Sequence, residues 1–274
     1  MVRFPNAKIN LGLLVTERRE DGFHNLETVF YPVPLCDILE VIRSDRFSFR
    51  STGAPLESTE EQNLAVRAYR LLKEQFDLPP VSIWLHKVIP LGAGLGGGSS
   101  DGAFMLKMIC DLFGLSLDRE ELEAQAALLG ADCPFFIGNE PSFATGTGNI
   151  LQPVKVDLSD YRLALVKPPF HVNTGMAYNA ITPRKREISV RDIVKQPVDD
   201  WKESLINDFE SPLFNMFPEI GKIKEELYRL GAVYSSMSGS GSALYGLFRE
   251  LPPHLRDHFP ASYFIYSSDP VSSW

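Results

Sequence analysis

Cysteine is scarce in this sequence and nowhere paired. Cys36, Cys110 and Cys133 are three in number, widely spaced and without a CxxC, which argues against a disulfide framework and a cysteine zinc site and points to a reducing cytoplasm. Long apolar runs are missing too. The longest uncharged stretch, Leu230 to Phe248, is broken by five serines and several glycines, so it fails as a membrane span, which needs about 20 apolar residues. The opening MVRFPNAKINLGLL lacks the basic segment, apolar core and small-residue cleavage site of a signal peptide. Basic charge is in deficit: 27 Lys and Arg against 35 Asp and Glu leave a net charge of -8, the wrong sign for neutralising long stretches of nucleic-acid phosphate. These shortages leave a soluble, intracellular chain working on a small molecule, with neither nucleic acid nor a membrane as partner.

What is present reads as a globular enzyme. The 274 residues make one large domain or two ordinary ones at about 100 to 200 residues each. Ala7 to Val15, Leu26 to Tyr31, Ile38 to Ile42 and Arg46 to Arg50 read as strands, the first two joined at Asp21-Gly22, a turn pair that tolerates the positive φ a hairpin needs. Helical periodicity begins after Asn63, a helix-capping residue type, with Leu64, Ala68, Leu71, Leu72 and Phe76 on one face. Val81 to Lys87 alternates as a strand. Ser99 or Ser100 is placed to cap the next helix, and Asp118 with Glu121 forms a capping-box pattern for another that Gly130 ends. Further on, Tyr161 to Lys167, a helix from Pro218 to Leu230, and SYFIYSS complete a pattern without βαβ rhythm. The expected class is α+β in two domains, 1–151 and 152–274.

The densest signal is PLGAGLGGGSSDGAF, with six glycines in the eleven residues from Gly92 to Gly102, between a strand and a helix. Glycines let backbone N–H groups approach an anion, and the following helix adds its positive end. Phosphate binding is the physical reading. Gly92, Gly94 and Gly97 also satisfy GxGxxG, although Asp118, at the spacing of a ribose-binding acid, opens a helix and not a strand end. Gly98, Ser100 and Gly102 satisfy the GxSxG of a hydrolase elbow, with Asp132 and His171 following in the required order. No GK[ST] follows, which excludes a Walker loop. His254 and His258 have metal-ligand spacing on a helix but lack the Glu of HExxH. Arg184, Lys185, Arg186 and Arg191 read as a solvated basic loop.

Four segments in order, NAKINLGL, PLGAGLGGGSSDGAF, GADCPFF and MSGSGSALYGLF, resemble the motifs of the GHMP kinases, and the resemblance spans essentially the whole chain. It implies a two-domain α+β fold with the active site in the interdomain cleft, ATP as phosphoryl donor and magnesium with it. RREDGFHNLETVF, the extended GGGSSD and NDFE resemble the branch of that family that phosphorylates the 2-hydroxyl of a cytidine-diphosphate-linked methylerythritol on the non-mevalonate route to isoprenoids. By the same resemblance Lys8 and Asp132 are the catalytic pair. Pro90, Gly92, Gly94, Leu95, Gly96, Gly97, Gly98, Ser99 and Ser100 hold the nucleotide, with Asn63 and Lys87 near its adenosine. Asn10, Phe23, His24, Thr174 and Tyr178 contact the alcohol substrate. Phe23 stands where the family commonly has Tyr, which keeps a stacking face and loses a hydroxyl, and Asn149 stands where it usually has Glu.

The chemistry suits those residue types. A carboxylate takes the proton of an attacking hydroxyl, and an ammonium stabilises charge as it moves between phosphate oxygens. Without the resemblance, Asp132 also reads as a turn residue, Lys8 as a solvent-facing strand residue, Asn63 as a plain helix cap and Lys87 as a surface charge. Two other functions stay open from sequence: a GHMP kinase for another small alcohol, and a catalytically silent nucleotide-binding regulator.

Overall fold

A computed structural model describes residues 1–55 and 59–268. The chain forms two compact units that are not contiguous in sequence: Met1–Ala7, Leu35–Leu91 and Gly96–Glu140 in one, and Lys8–Pro34, Gly92–Leu95 and everything from Pro141 onward in the other. A division near residue 152 follows chain order, whereas the spatial grouping sends the first hairpin to the C-terminal half. The strand Ile150–Pro153 runs across that position.

The first unit is a four-stranded sheet covered by helices. Ile38–Arg43 pairs antiparallel with Val81–Lys87, and Ser48–Gly53 pairs parallel with the same strand. Parallel neighbours need a crossover, which the helix Leu64–Phe76 supplies. Val81, Ile83, Leu85 and Lys87 turn inward and are buried while Trp84 and His86 face out, the period-two pattern of a sheet with one covered face. Gly102 in the helix Gly97–Phe113 lets the two helices close: a Cβ there would stand 3.1 Å from Leu64 Cβ.

Two local expectations change and a third holds. The helix Leu64–Phe76 buries Ala65, Val66, Ala68, Tyr69 and Leu72, and Phe76 is 37% exposed; the i, i+3, i+4, i+7 stripe starts one residue later than the leucines alone indicate. Neither Ser99 nor Ser100 caps the second helix. It opens on Gly96 in the left-handed region at φ +71°, and Ser100 is fully buried inside it. A nucleophile must reach its substrate, so the hydrolase-elbow reading falls with Ser100. The capping box of Asp118 and Glu121 is formed reciprocally at 2.9 and 2.8 Å, opening Arg119–Ala127.

The second unit carries two sheets. The long strands Asn6–Arg18 and His24–Cys36 neighbour each other, followed by Ser142–Thr145 and Ile150–Pro153. Their hairpin closes where foreseen, with Gly22 at φ +86° and Arg19 N–H donating to Phe23 O at 2.8 Å. The other sheet is antiparallel in the order Tyr234–Met237, Leu244–Phe248, Arg162–Lys167, Phe264–Ser268. Pro218–Arg229 lays Ile220, Ile223 and Leu227 into a core with Leu13, Val166, Phe209, Leu244 and Phe248. His254 sits at φ +56° before a short 3-10 turn, Leu255–His258, so the two histidines do not share an α-helical face.

Candidate active site

Within the second unit, the strand Asn6–Arg18 puts Lys8 and Asn10 on one face, two residues apart. Both faces of this stretch are covered, so Lys8 is 3% exposed and its solvent-facing alternative is excluded. Lys8 Nζ donates to Asn10 Oδ1 at 2.6 Å and lies 4.9 Å from the centre of the Phe30 ring. Asn10 Nδ2 donates to Thr28 Oγ1 at 2.9 Å, and Thr28 donates on to the Gly12 carbonyl. These bonds fix the Asn10 amide so that its oxygen faces the ammonium.

The same strand holds the glycine loop by its backbone. Lys8 N–H donates to Leu95 O at 2.9 Å, Ala243 N–H to Ala93 O at 3.1 Å, and Ser238 Oγ to Gly94 O at 2.8 Å. Gly92, Gly94 and Gly96 all have positive φ, at +57°, +77° and +71°. Gly94 is the tightest of these: a Cβ would drive into the carbonyl oxygen of Ser238. Gly94→Ala should therefore combine left-handed strain of about 1 to 2 kcal/mol with displacement of the serine loop. A lower melting temperature and ATP binding weakened more than tenfold are the expected readings, in differential scanning fluorimetry and calorimetry. Wild-type values in both would remove the loop's geometry from nucleotide binding.

The serine loop is itself held by NDFE. Asn207 Nδ2 donates to Met237 O at 2.8 Å and Gly239 O at 2.9 Å, and Glu210 Oε1 accepts from Met237 N–H at 2.8 Å and Ser236 Oγ at 2.9 Å. Asp208 accepts from Val15 N–H and from Arg186, so Arg186, expected in a solvated basic run, is pinned instead. Asn207, Glu210, Ser238 and Thr28 were not singled out as individual residues by sequence reasoning. The clue lay in two polar clusters, NDFE and MSGSGS, each set among apolar residues.

A second group in this unit is aromatic. The His24 ring stacks on Tyr178 with centroids 4.9 Å apart and planes 22° apart, and Tyr178 meets Phe209 edge-on at 4.9 Å. Partial burial, with Arg18 adding to it, holds His24 below its ordinary value of 6.5, so the ring is neutral at pH 7 and both donates and accepts. Phe23 is 65% exposed at the hairpin. Thr174 opens the helix Thr174–Asn179 and shares a hydrogen bond of 3.1 Å with Ser240. Asn149 ties its own turn, accepting from Thr147 N–H at 3.1 Å and Thr147 Oγ1 at 3.0 Å.

In the first unit, the glycine loop continues into Gly97–Phe113. This helix has neither a side-chain cap nor an acid in its first turn. Its leading N–H groups, at Gly97, Gly98 and Ser99, are those an α-helix leaves without internal acceptors, on half-exposed backbone. Such an end draws an anion. Asn63 caps the neighbouring helix, accepting from Ala65 and Val66 N–H at 3.0 and 3.4 Å. Lys87 is no surface charge: it is buried between Asp37 and Asp101. Asp132 is half-buried, just before Cys133, Phe135 and Phe136 of the core.

The sequence matches the GHMP kinases N terminal domain over residues 63–139 and the GHMP kinases C terminal domain over residues 190–263. The chain belongs to the GHMP kinases. It is 52% identical, over 94% of each chain, to the 4-diphosphocytidyl-2-C-methyl-D-erythritol kinase of Parabacteroides distasonis, and 46% identical to that of Cytophaga hutchinsonii over 92% of this chain and 94% of the other. A crystal structure of 4-(cytidine 5'-diphospho)-2C-methyl-D-erythritol kinase superposes with a TM-score of 0.81 at 36% identity, covering 97% and 98% of the two chains. A mevalonate kinase structure matches at TM-score 0.73 and 12% identity over 97% and 98%, a likeness of fold alone. The GHMP fold is α+β, as expected, and its members are kinases. Among the described residues no helix is long and apolar enough to cross a membrane.

Proposed function

We propose that this GHMP kinase transfers the γ-phosphoryl group of ATP to the 2-hydroxyl of 4-diphosphocytidyl-2-C-methyl-D-erythritol, a step toward isoprenoid precursors. The observation that carries the reading is the sustained 52% identity with a relative of that activity over 94% of both chains. The geometry supports it: an uncapped helix start for phosphates, a fixed ammonium and an aromatic group for a base.

In this reading the loop from Pro90 to Ser100 takes the triphosphate on the N–H groups of Gly97, Gly98 and Ser99, and Asn63 shapes the neighbouring helix start near the adenosine. Lys87 acts from beside Gly97. Asp132 removes the proton as the hydroxyl oxygen bonds to the γ-phosphorus and the bond to the β-γ bridging oxygen breaks; Lys8 stabilises the charge in transit. Asn10 and Thr174 position the polyol. Magnesium bound with the nucleotide would neutralise its phosphates. The division 1–151 and 152–274 serves as a chain-order outline of the two family domains, and the free Cys36, Cys110 and Cys133 suit a reducing cytoplasm.

The test is a coupled assay of ATP consumption with the cytidylyl substrate, its uridine analogue and free methylerythritol phosphate. Stacking on Phe23 and Tyr178 accepts any base, so discrimination falls to polar groups that a wrong base leaves unpaired. The neutral His24 ring is such a group. Preference for cytidine by about 10- to 100-fold in kcat/KM is expected, narrowed by His24→Ala. Equal use of both bases would favour another small-alcohol GHMP kinase, and no turnover on any of them a silent nucleotide-binding regulator.

A further inference from the structure

Beside the start of the helix Gly97–Phe113, within the first unit, three charged groups are shut away from solvent. Lys87 Nζ lies between Asp37 Oδ2 and Asp101 Oδ2, the latter at 2.6 Å, and the side chains are 1%, 0% and 3% exposed. The group abuts the phosphate-binding helix start. A Cβ on Gly97 would stand 3.4 Å from Lys87 Nζ and 2.8 Å from Ile89 Cγ2, and Asp101 sits one turn along the same helix.

One cation cannot offset two ionised carboxyls, and an uncompensated buried charge is costly. The two carboxyls are not equivalent. Asp37 Oδ1 accepts from Val88 N–H at 2.6 Å and Ile89 N–H at 2.9 Å, in addition to the ammonium on its other oxygen, so both of its oxygens are hydrogen-bonded. Asp101 shares only the ammonium, and its Oδ1 is buried without a hydrogen-bond partner.

Among the described residues, Lys87 is the cation paired with Asp101. On the helix that packs alongside, Arg67 donates to Leu128 O and Arg70 pairs with Glu60. Farther along Asp101's own helix, Lys107 donates to Phe136 O, and Arg119 beyond it pairs with Glu123 and Glu140. His86, next to Lys87, faces out to Thr52. Cys36, beside Asp37, is a thiol that burial pushes up to about 11.

We propose that Asp101 is a neutral carboxylic acid at neutral pH, a positioning residue that keeps the Asp37–Lys87–Asp101 group uncharged beside the phosphate-binding helix start, and that its ionisation weakens nucleotide binding. Burial pushes its carboxyl up to about 8, with Asp37 adding and Lys87 opposing. Below that pH the acid is neutral and leaves the helix's positive end unopposed. Above it, a negative charge one helical turn from Gly97 opposes the helix's positive end, enough for roughly a tenfold loss of affinity even in a high effective dielectric.

This inference rests on the nucleotide-site reading, and the experiment separates the two. ATP is titrated calorimetrically into the full chain without alcohol substrate from about pH 7 to about pH 9.5, a window above the last phosphate ionisation near 6. Wild type should lose affinity roughly tenfold with a midpoint near pH 8, while Asp101→Asn, the isostere of the neutral acid, should keep its neutral-pH affinity throughout. A flat wild-type profile, or an undiminished alkaline loss in Asp101→Asn, overturns the proposal. If the variant does not fold, or if wild type binds no ATP at neutral pH and the site reading itself fails, infrared difference spectra of wild type across the same range decide. Burial pushes the Asp101 carboxyl to about 8, so a protonated-carboxyl band should disappear in alkali, and its absence throughout would overturn the proposal.

Discussion

Asp132→Asn is expected to lower turnover by roughly 10²- to 10⁴-fold, the usual worth of a positioned general base, while ATP affinity stays within about twofold because the lost function acts on the acceptor hydroxyl and not on the nucleotide. The substitution is nearly isosteric, and the surrounding segment has backbone and core contacts of its own. Cys133 N–H donates to Gly130 O at 3.1 Å, the short helix Phe135–Gly138 buries Phe135 and Phe136, and its end is clamped where Asn6 and Asn139 exchange side-chain bonds of 3.2 and 2.8 Å. The variant should accordingly still fold, which its melting temperature checks. Steady-state turnover and calorimetry on the same preparation are the measurements. Near wild-type turnover in a folded Asp132→Asn protein would remove Asp132 from the proton transfer.

The elements that sequence reasoning located are those governed by local rules. Asp21-Gly22 fixed a hairpin because its backbone needs are met within four residues, and the reciprocal bonds of Asp118 and Glu121 span three. The strands Ile38–Arg43 and Val81–Lys87 stood out by alternation. Local rules also account for the errors. Serine is the commoner helix cap, yet at the glycine loop Gly96 takes the positive φ that begins the helix, and Ser100 falls inside. Leaving the helix start without a side-chain cap keeps its N–H groups available, so the departure from the capping rule falls where the proposed phosphate site lies.

Long-range polar contacts carry no periodic signal. Asp37 and Lys87 are 50 positions apart and Lys87 and Asp101 are 14 apart, so a lysine closing an alternating strand read equally well as a surface charge. The NDFE segment is similar. Asn207 and Glu210 make bonds 26 to 32 positions away, in the serine loop, and only the spatial neighbours reveal that they hold that loop in place. The Gly94–Ser238 contact then passes the constraint to the glycine loop. Polar residues among apolar ones marked these places as unusual without naming their partners.

Lys8→Met should cut kcat by about 10²- to 10³-fold, the loss seen when one preorganised donor to developing charge is removed, with the Michaelis constant for ATP changed by no more than about threefold. The reason lies in how Lys8 is held. Its backbone bonds to Leu95, so the strand supports the glycine loop whatever the side chain is. Its ammonium is fixed separately, by Asn10 Oδ1 and the Phe30 face, and Asn10 is itself anchored through Thr28 and through Tyr245, whose hydroxyl donates to Asn10 O at 2.8 Å. Met keeps the length and apolar stem of lysine, so the fold and the loop should survive while the charge is lost. Lys8→Arg should not restore activity: a planar guanidinium cannot occupy the place of a compact ammonium in a pocket that leaves Lys8 only 3% exposed. Asn10→Ala should fall between, because it frees the ammonium without removing it. Rapid-quench measurement of the phosphoryl-transfer step alongside ATP calorimetry separates the roles. Equal losses in transfer rate and in ATP affinity would make Lys8 a general phosphate-binding residue, and full activity of Lys8→Arg would show that charge alone, without the Asn10 hydrogen bond, is sufficient.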